Sequence, residues 1–118
     1  MRTIYVEGGS LHKRKLAENA AIFAYNQLIP KIKNCSIDIF LNNLDNCFEI
    51  EDREYEININ NKQNGDDFLT AIFHEIVHVK QYIRKQYKND EGLNYLDKPS
   101  EKEAYKLQEE LLEKWKKY

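Results

Sequence analysis

The sequence predicts a single α+β domain. Strand-like alternation clusters in the middle of the chain, helix-like periodicity lies on either side, and no Pro/Gly/Ser-rich linker divides them. The chain has 118 residues, 42 % of them hydrophobic and 12 % aromatic, which suffices for one core and leaves no room for a second. Residues 1–118 are therefore read as one domain.

Residues 3–6 read as a short strand ended by Gly8-Gly9. Ser10 is placed to cap a first helix that runs to about Ile29, with Leu16, Ala20, Phe23, Ala24 and Leu28 at three- and four-residue spacing. Pro30 stops it. Ile37, Ile39 and Leu41 alternate in a half-buried strand over 36–41, and Asn42-Asn43 turns the chain. Phe48 and Ile50 mark a strand ending near Asp52. Tyr55, Ile57 and Ile59 alternate with Glu54, Glu56, Asn58 and Asn60 in the clearest strand of all. Its wholly polar outer side suits the edge of a small, mainly antiparallel or mixed sheet, where a peptide could add as a further strand. Residues 60–67 form a polar turn, about 66–85 a long helix, 87–98 a polar loop with Gly92, and 99–117 a last helix. That helix carries Ala104, Leu107, Leu111 and Trp115 on one stripe and opens on Pro99 and Ser100.

The charge balance excludes several function classes. Eighteen Lys and Arg face 20 Asp and Glu, giving a net charge of −2, and the pI is near 5.9. A nucleic-acid binder is normally basic. Lys13-Arg14-Lys15 and Lys114, Lys116 and Lys117 read as solvated helix ends. No apolar run approaches the ~20 residues of a membrane span. Residues 1–10 lack the apolar core of a secretory signal. Two cysteines, Cys35 and Cys47, with no CxxC, suit a reduced, cytoplasmic protein.

The long helix contains His74-Glu75-Ile76-Val77-His78, an HExxH motif. Residues four apart lie one turn apart on the same helix face, so both imidazoles can reach one Zn²⁺. Glu75, turned ~100° from His74, is too far round to be a ligand but can act as general base on a metal-activated water. Leu69, Ile72, Phe73, Ile76, Val79 and Ile83 share a broad core face, opposite Ala71, His74, His78, Gln81 and Tyr82. Catalytic zinc usually takes three protein ligands and keeps one position open. The HExxHxxGxxH extension is absent, since Gln81 and Arg84 stand at its Gly and His positions. The third ligand is then a carboxylate from the last helix, Glu101 or Glu103. Ser100 and Glu103 have capping-box spacing, which would occupy Glu103 with backbone and favours Glu101. Tyr105, one turn after Glu101, is placed to hydrogen-bond a ligand. Tyr82, Tyr95 and Tyr105 are the candidate oxyanion donors.

The stretch His74-Glu75-Ile76-Val77-His78-Val79-Lys80-Gln81-Tyr82 resembles the HE(M/L)VHVKQY segment of small zincin-like metallopeptidases of bacteriophage and bacterial genomes. Residues 95–105 resemble that family's YW..PWEIEAY segment, and Tyr55-Glu56-Ile57-Asn58-Ile59 its FEIRI strand. The resemblance spans residues 53–105 and implies a minimal gluzincin, with two His and a Glu from a second helix. Glu101 followed by Ala104 is similar to the gluzincin ligand pattern, and the ImmA/IrrE-like peptidases carry a similar E-x-E-A after HExxH. Leu96 and Ser100 replace the family's Trp pair, and Tyr105 stands where gluzincins often have Asp or Asn. The expected function is a zinc peptidase holding one Zn²⁺ per chain on His74, His78 and Glu101, with Glu75 as base and a peptide or protein as substrate. The competing expectation is a non-proteolytic zincin-like zinc module that binds a protein partner. Glu75 favours the first, and the small size favours the second.

Overall fold

The computed structural model describes residues 3–118. Its order is β1 (Thr3–Glu7), α1 (Leu11–Leu28), β2 (Ser36–Asn42), β3 (Asn46–Glu51), β4 (Glu54–Asn60), α2 (Gly65–Ile83), two short 3₁₀ turns at Gln86–Asp90 and Tyr95–Asp97, and α3 (Pro99–Lys117). This is the expected α+β class, with a four-stranded mixed sheet ordered β1-β2-β4-β3. β1, β2 and β4 run parallel, and β3 returns antiparallel beside β4.

Local signals account for most element ends. Ser10 caps α1 by accepting a hydrogen bond from the Lys13 backbone N–H at 3.1 Å. Gly8 has φ +95°, and a Cβ there would lie 2.6 Å from the Leu41 carbonyl oxygen, so only glycine fits where β1 turns against β2. The predicted loop over 87–98 instead holds the two 3₁₀ turns, each too short to leave a periodic pattern.

Alternation fixes the core. Ile37, Ile39, Tyr55, Ile57 and Ile59 point to one sheet face, and all are buried. α1 lays Ala17, Ala20, Ala21 and Ala24 on the core, small side chains that let neighbouring backbone approach closely. α2 adds Phe68, Ile72, Phe73 and Ile76. Phe23, Phe73 and Trp115 form an aromatic cluster joining α1, α2 and α3, with centroids 5.4 to 6.1 Å apart. No helix among the described residues is long and apolar enough to cross a membrane.

Two expectations are corrected. Glu54–Asn60 is not an edge strand, because β2 and β3 hydrogen-bond both its sides and leave no room for an added peptide. Polar alternation reports which sheet face is open, not where the strand lies in the sheet. On that face Asn58 bridges its neighbours, accepting from Asn42 Nδ2 at 2.6 Å and donating to Asn46 Oδ1 at 2.8 Å. Nor do Ser100 and Glu103 form a capping box. Lys98 is the N-cap residue of α3 and makes no side-chain cap hydrogen bond. The buried Asp90 supplies the cap from outside, accepting from Ser100 N at 3.1 Å and from Ser100 Oγ at 2.5 Å.

Candidate metal centre

The middle of α2 is buried on all sides, because the sheet and α1 cover one face and α3 covers the other. His74 and His78 occupy the α3 side, one turn apart, with ring centroids 4.8 Å apart and planes at 80°. Glu101, 8 % exposed, projects from the first turn of α3 between them. Its Oε1 lies 3.1 Å from His74 Nε2 and its Oε2 3.1 Å from His78 Nε2. One ligand atom from each of the three residues lies within 4.8 Å of the others.

The groups behind the histidines define which nitrogens carry protons. Gln81 is fully buried, and its Nε2 donates to Ser100 O at 2.8 Å and to Glu103 Oε1 at 3.0 Å. Its Oε1 therefore faces His78 Nδ1, 2.6 Å away, and can only accept. The Tyr87 oxygen, 2.8 Å from the same Nδ1, is a second acceptor. Gln108 does the same for His74, placing Oε1 2.7 Å from Nδ1 while its Nε2 donates to Glu109. Both Nδ1 atoms are thus donors, and in the neutral form of each ring the Nε2 lone pair aims at the Glu101 carboxylate. Burial lowers the His78 pKa more than Gln81 and Glu101 raise it, which favours that neutral ring. At 3.1 Å from the carboxylate oxygens, such lone pairs repel unless a proton or a metal cation lies between them. Two imidazole nitrogens and one carboxylate, oriented from behind, fit a divalent metal ion.

Glu75 sits beside this set, 5 % exposed, without a hydrogen bond or ion pair among the described residues. Burial, then the charges of Asp45 and Glu101, push its carboxyl up to about 8. The cleft over the centre measures about 220 Å³ and brings Asp45, Cys47, Tyr82, Tyr87 and Tyr95 against Glu75 and the ligand set. Burial holds the Tyr82, Tyr87 and Tyr95 hydroxyls above their ordinary pKa, so they remain donors.

Of the residues singled out in the sequence, His74, Glu75, His78 and Glu101 meet in one place, and Tyr82 and Tyr95 line the cleft. Tyr105 packs edge-on against His74 at 4.8 Å, with its hydroxyl 3.5 Å from that of Tyr95. Glu103 points away, 2.9 Å from Lys80 Nζ and 3.0 Å from Gln81 Nε2, so it stands outside the ligand set. Sequence reasoning missed the supporting roles of Gln81 and Gln108 and the presence of Tyr87 and Asp45. Gln81 follows His78 by three residues and Gln108 follows Glu101 by seven, helical spacings that could have found them. Tyr87 lies in a short 3₁₀ turn and Asp45 between β2 and β3, where spacing carries no signal. Comparison with protein-family models, curated proteins and solved structures finds no match for this chain.

Proposed function

We propose that this protein is a zinc-dependent metallopeptidase of minimal zincin type. The observation that carries the reading is the convergence of His74 Nε2, His78 Nε2 and Glu101 beside an unpartnered Glu75. Two nitrogens and one carboxylate suit Zn²⁺, whereas Ca²⁺ and Mg²⁺ favour all-oxygen sets. When bound, zinc supplies Lewis acidity that activates a water and polarises the scissile carbonyl.

The chain's own residues do the rest. Gln81 and Gln108 hold the two imidazoles with Nε2 free to ligate. In its ionised form, which a bound divalent cation would favour, Glu75 would accept a proton from the attacking water and deliver it to the amine nitrogen as the C–N bond breaks. Tyr95 and Tyr82 offer hydroxyl donors to the negative charge that develops on the carbonyl oxygen. Asn46 and Cys47 of β3 line the cleft, and β3 pairs on one side only among the described residues. An extended substrate can therefore lie along that edge.

The cleft's 220 Å³ is small beside the ~300–1,000 Å³ of typical ligand pockets. That favours the competing reading, a zinc module that binds a protein partner without cutting it. Glu75→Gln separates the two. The variant should keep its zinc and its fold while hydrolysis of a peptide library falls by at least ~10²-fold, the scale of a lost general base. Hydrolysis unchanged in Glu75→Gln refutes the mechanism. A zinc-loaded wild type that cuts nothing in the library favours the binding module.

A further inference from the structure

Tyr82 and Tyr87 line both the cleft over the metal centre and a second cavity of about 560 Å³. That volume lies within the ~300–1,000 Å³ of ligand pockets, a range the cleft alone does not reach. The wall of the cavity is aromatic. The Tyr82 and Tyr87 rings meet with centroids 4.4 Å apart and planes at 44°, and Tyr55 backs Tyr82 at 5.9 Å. Glu49 and Asp52 stand against Arg53 and Lys85 around the cavity, so it carries no net charge that would select an ion. A neutral aromatic side chain gains most from such a wall.

A second observation is a polar group left over behind that wall. Tyr55 is 2 % exposed, and its hydroxyl is buried with no hydrogen-bond partner among the described residues. Burial, then the charge of Glu49, raise its pKa, so it stays protonated and is an orphaned donor. Tyr55 pairs in register with Glu49 on β3, so the two side chains leave the same sheet face side by side. Glu49 is exposed, lines the cavity and screens the Tyr55 hydroxyl from it. A ligand hydroxyl reaching past Glu49 can accept from Tyr55 and donate to the Glu49 carboxylate. A phenol does both, an indole N–H can only donate, and a phenyl ring does neither.

Strand geometry sets the spacing between cleft and cavity. Cys47 lines the cleft, and Glu49, two residues on along β3 and about 7 Å away, lines the cavity. An extended peptide beside that edge therefore presents one side chain at the cleft and the next but one at the cavity. We propose that this cavity is a side-chain subsite for a tyrosine of the bound peptide, with Tyr82 and Tyr87 packing on its ring and Tyr55 and Glu49 reading its hydroxyl. The inference rests on the peptidase reading for the nature of the ligand, but the recognition itself does not need turnover.

The test uses N-acetylated, C-amidated alanine hexapeptides with one tyrosine moved through every position, and the same set with phenylalanine. Affinity is measured by calorimetry on zinc-loaded Glu75→Gln protein, and cleavage on wild type by mass spectrometry. Tyrosine at one position should tighten binding about tenfold over the all-alanine peptide, the scale of an aromatic contact. It should also bind about three- to tenfold tighter than phenylalanine at that position, the scale of a hydrogen bond. Wild type should cut at a bond that keeps a fixed offset from the tyrosine. Tyr55→Phe removes the hydroxyl and keeps the ring. With zinc content and circular dichroism unaltered, it should erase the preference for tyrosine and leave phenylalanine affinity unchanged. Glu49→Ala, at an exposed position, tests the same preference independently and should reduce it. Equal binding of the tyrosine and phenylalanine peptides overturns the inference, as does a preference that survives either substitution in full. Wild-type cleavage at bonds unrelated to the tyrosine overturns it too and leaves the peptidase reading standing. A tyrosine preference that is lost in Tyr55→Phe, without any cleavage by wild type, supports the subsite and removes the peptidase.

Discussion

At the scale of single residues, the candidate metal centre is built from two glutamines as well as its three candidate ligands. Gln81 is fully buried and uses all its hydrogen-bonding groups, holding His78 in one tautomer and tying α2 to Ser100 and Glu103 of α3. Gln108 is only partly buried and serves His74 alone among the ligands. Gln81→Leu should therefore weaken zinc binding by ~10–100-fold, the range typical of groups that orient a metal-bound histidine. Gln108→Ala should cost less. A competition titration against a chromophoric chelator measures both, and a larger loss in Gln108→Ala would reverse the ranking. The pairing of His74 with His78 was legible because HExxH is a local pattern: i and i+4 on one helix must share a face. The choice of Glu101 over Glu103 was also reached from the sequence, but by a capping argument that the structure replaces. Glu103 is set aside by Lys80 and Gln81, not by the backbone at the helix start.

At the scale of elements, the contact that positions Glu101 is the cap on α3. Asp90 ends the first 3₁₀ turn and satisfies two donors of Ser100, so a negative group meets the N-terminus of the helix bearing the third ligand. Ser100→Ala leaves buried Asp90 without its hydroxyl donor. It should destabilise the fold by about 1–3 kcal/mol, read from urea denaturation, and should lower zinc affinity because Glu101 lies on the next position. A shift under about 0.5 kcal/mol would show that the cap is not a stabilising contact. No local rule could have found it, since the capping group lies ten residues upstream in a segment without periodicity. β4 teaches a related lesson. Its span was legible to the residue, but its place in the sheet was not, because Glu54, Glu56 and Asn60 look outward equally well from a central strand whose outer face is open.

At the scale of the molecule, the sheet, α1 and α2 share one apolar core, and α3 closes over the other side of α2. The α+β class was legible because alternation and helical periodicity occupy separate stretches of the chain. The parallel pairing of β1, β2 and β4 was not, because it is a long-range register with no local mark. The candidate ligand set spans the α2–α3 seam, so a metal ion there would join His78 and Glu101, side chains more than twenty residues apart in the sequence. The central claim is that these three side chains hold one zinc ion. Its most direct measurement is zinc per chain by elemental analysis after dialysis against a weak chelator. Wild type, Glu75→Gln and Glu103→Ala should each retain one equivalent. His74→Ala/His78→Ala should retain none, and Glu101→Ala far less than one. Stoichiometric zinc in the double histidine variant, or zinc lost from Glu103→Ala but kept by Glu101→Ala, would contradict the account.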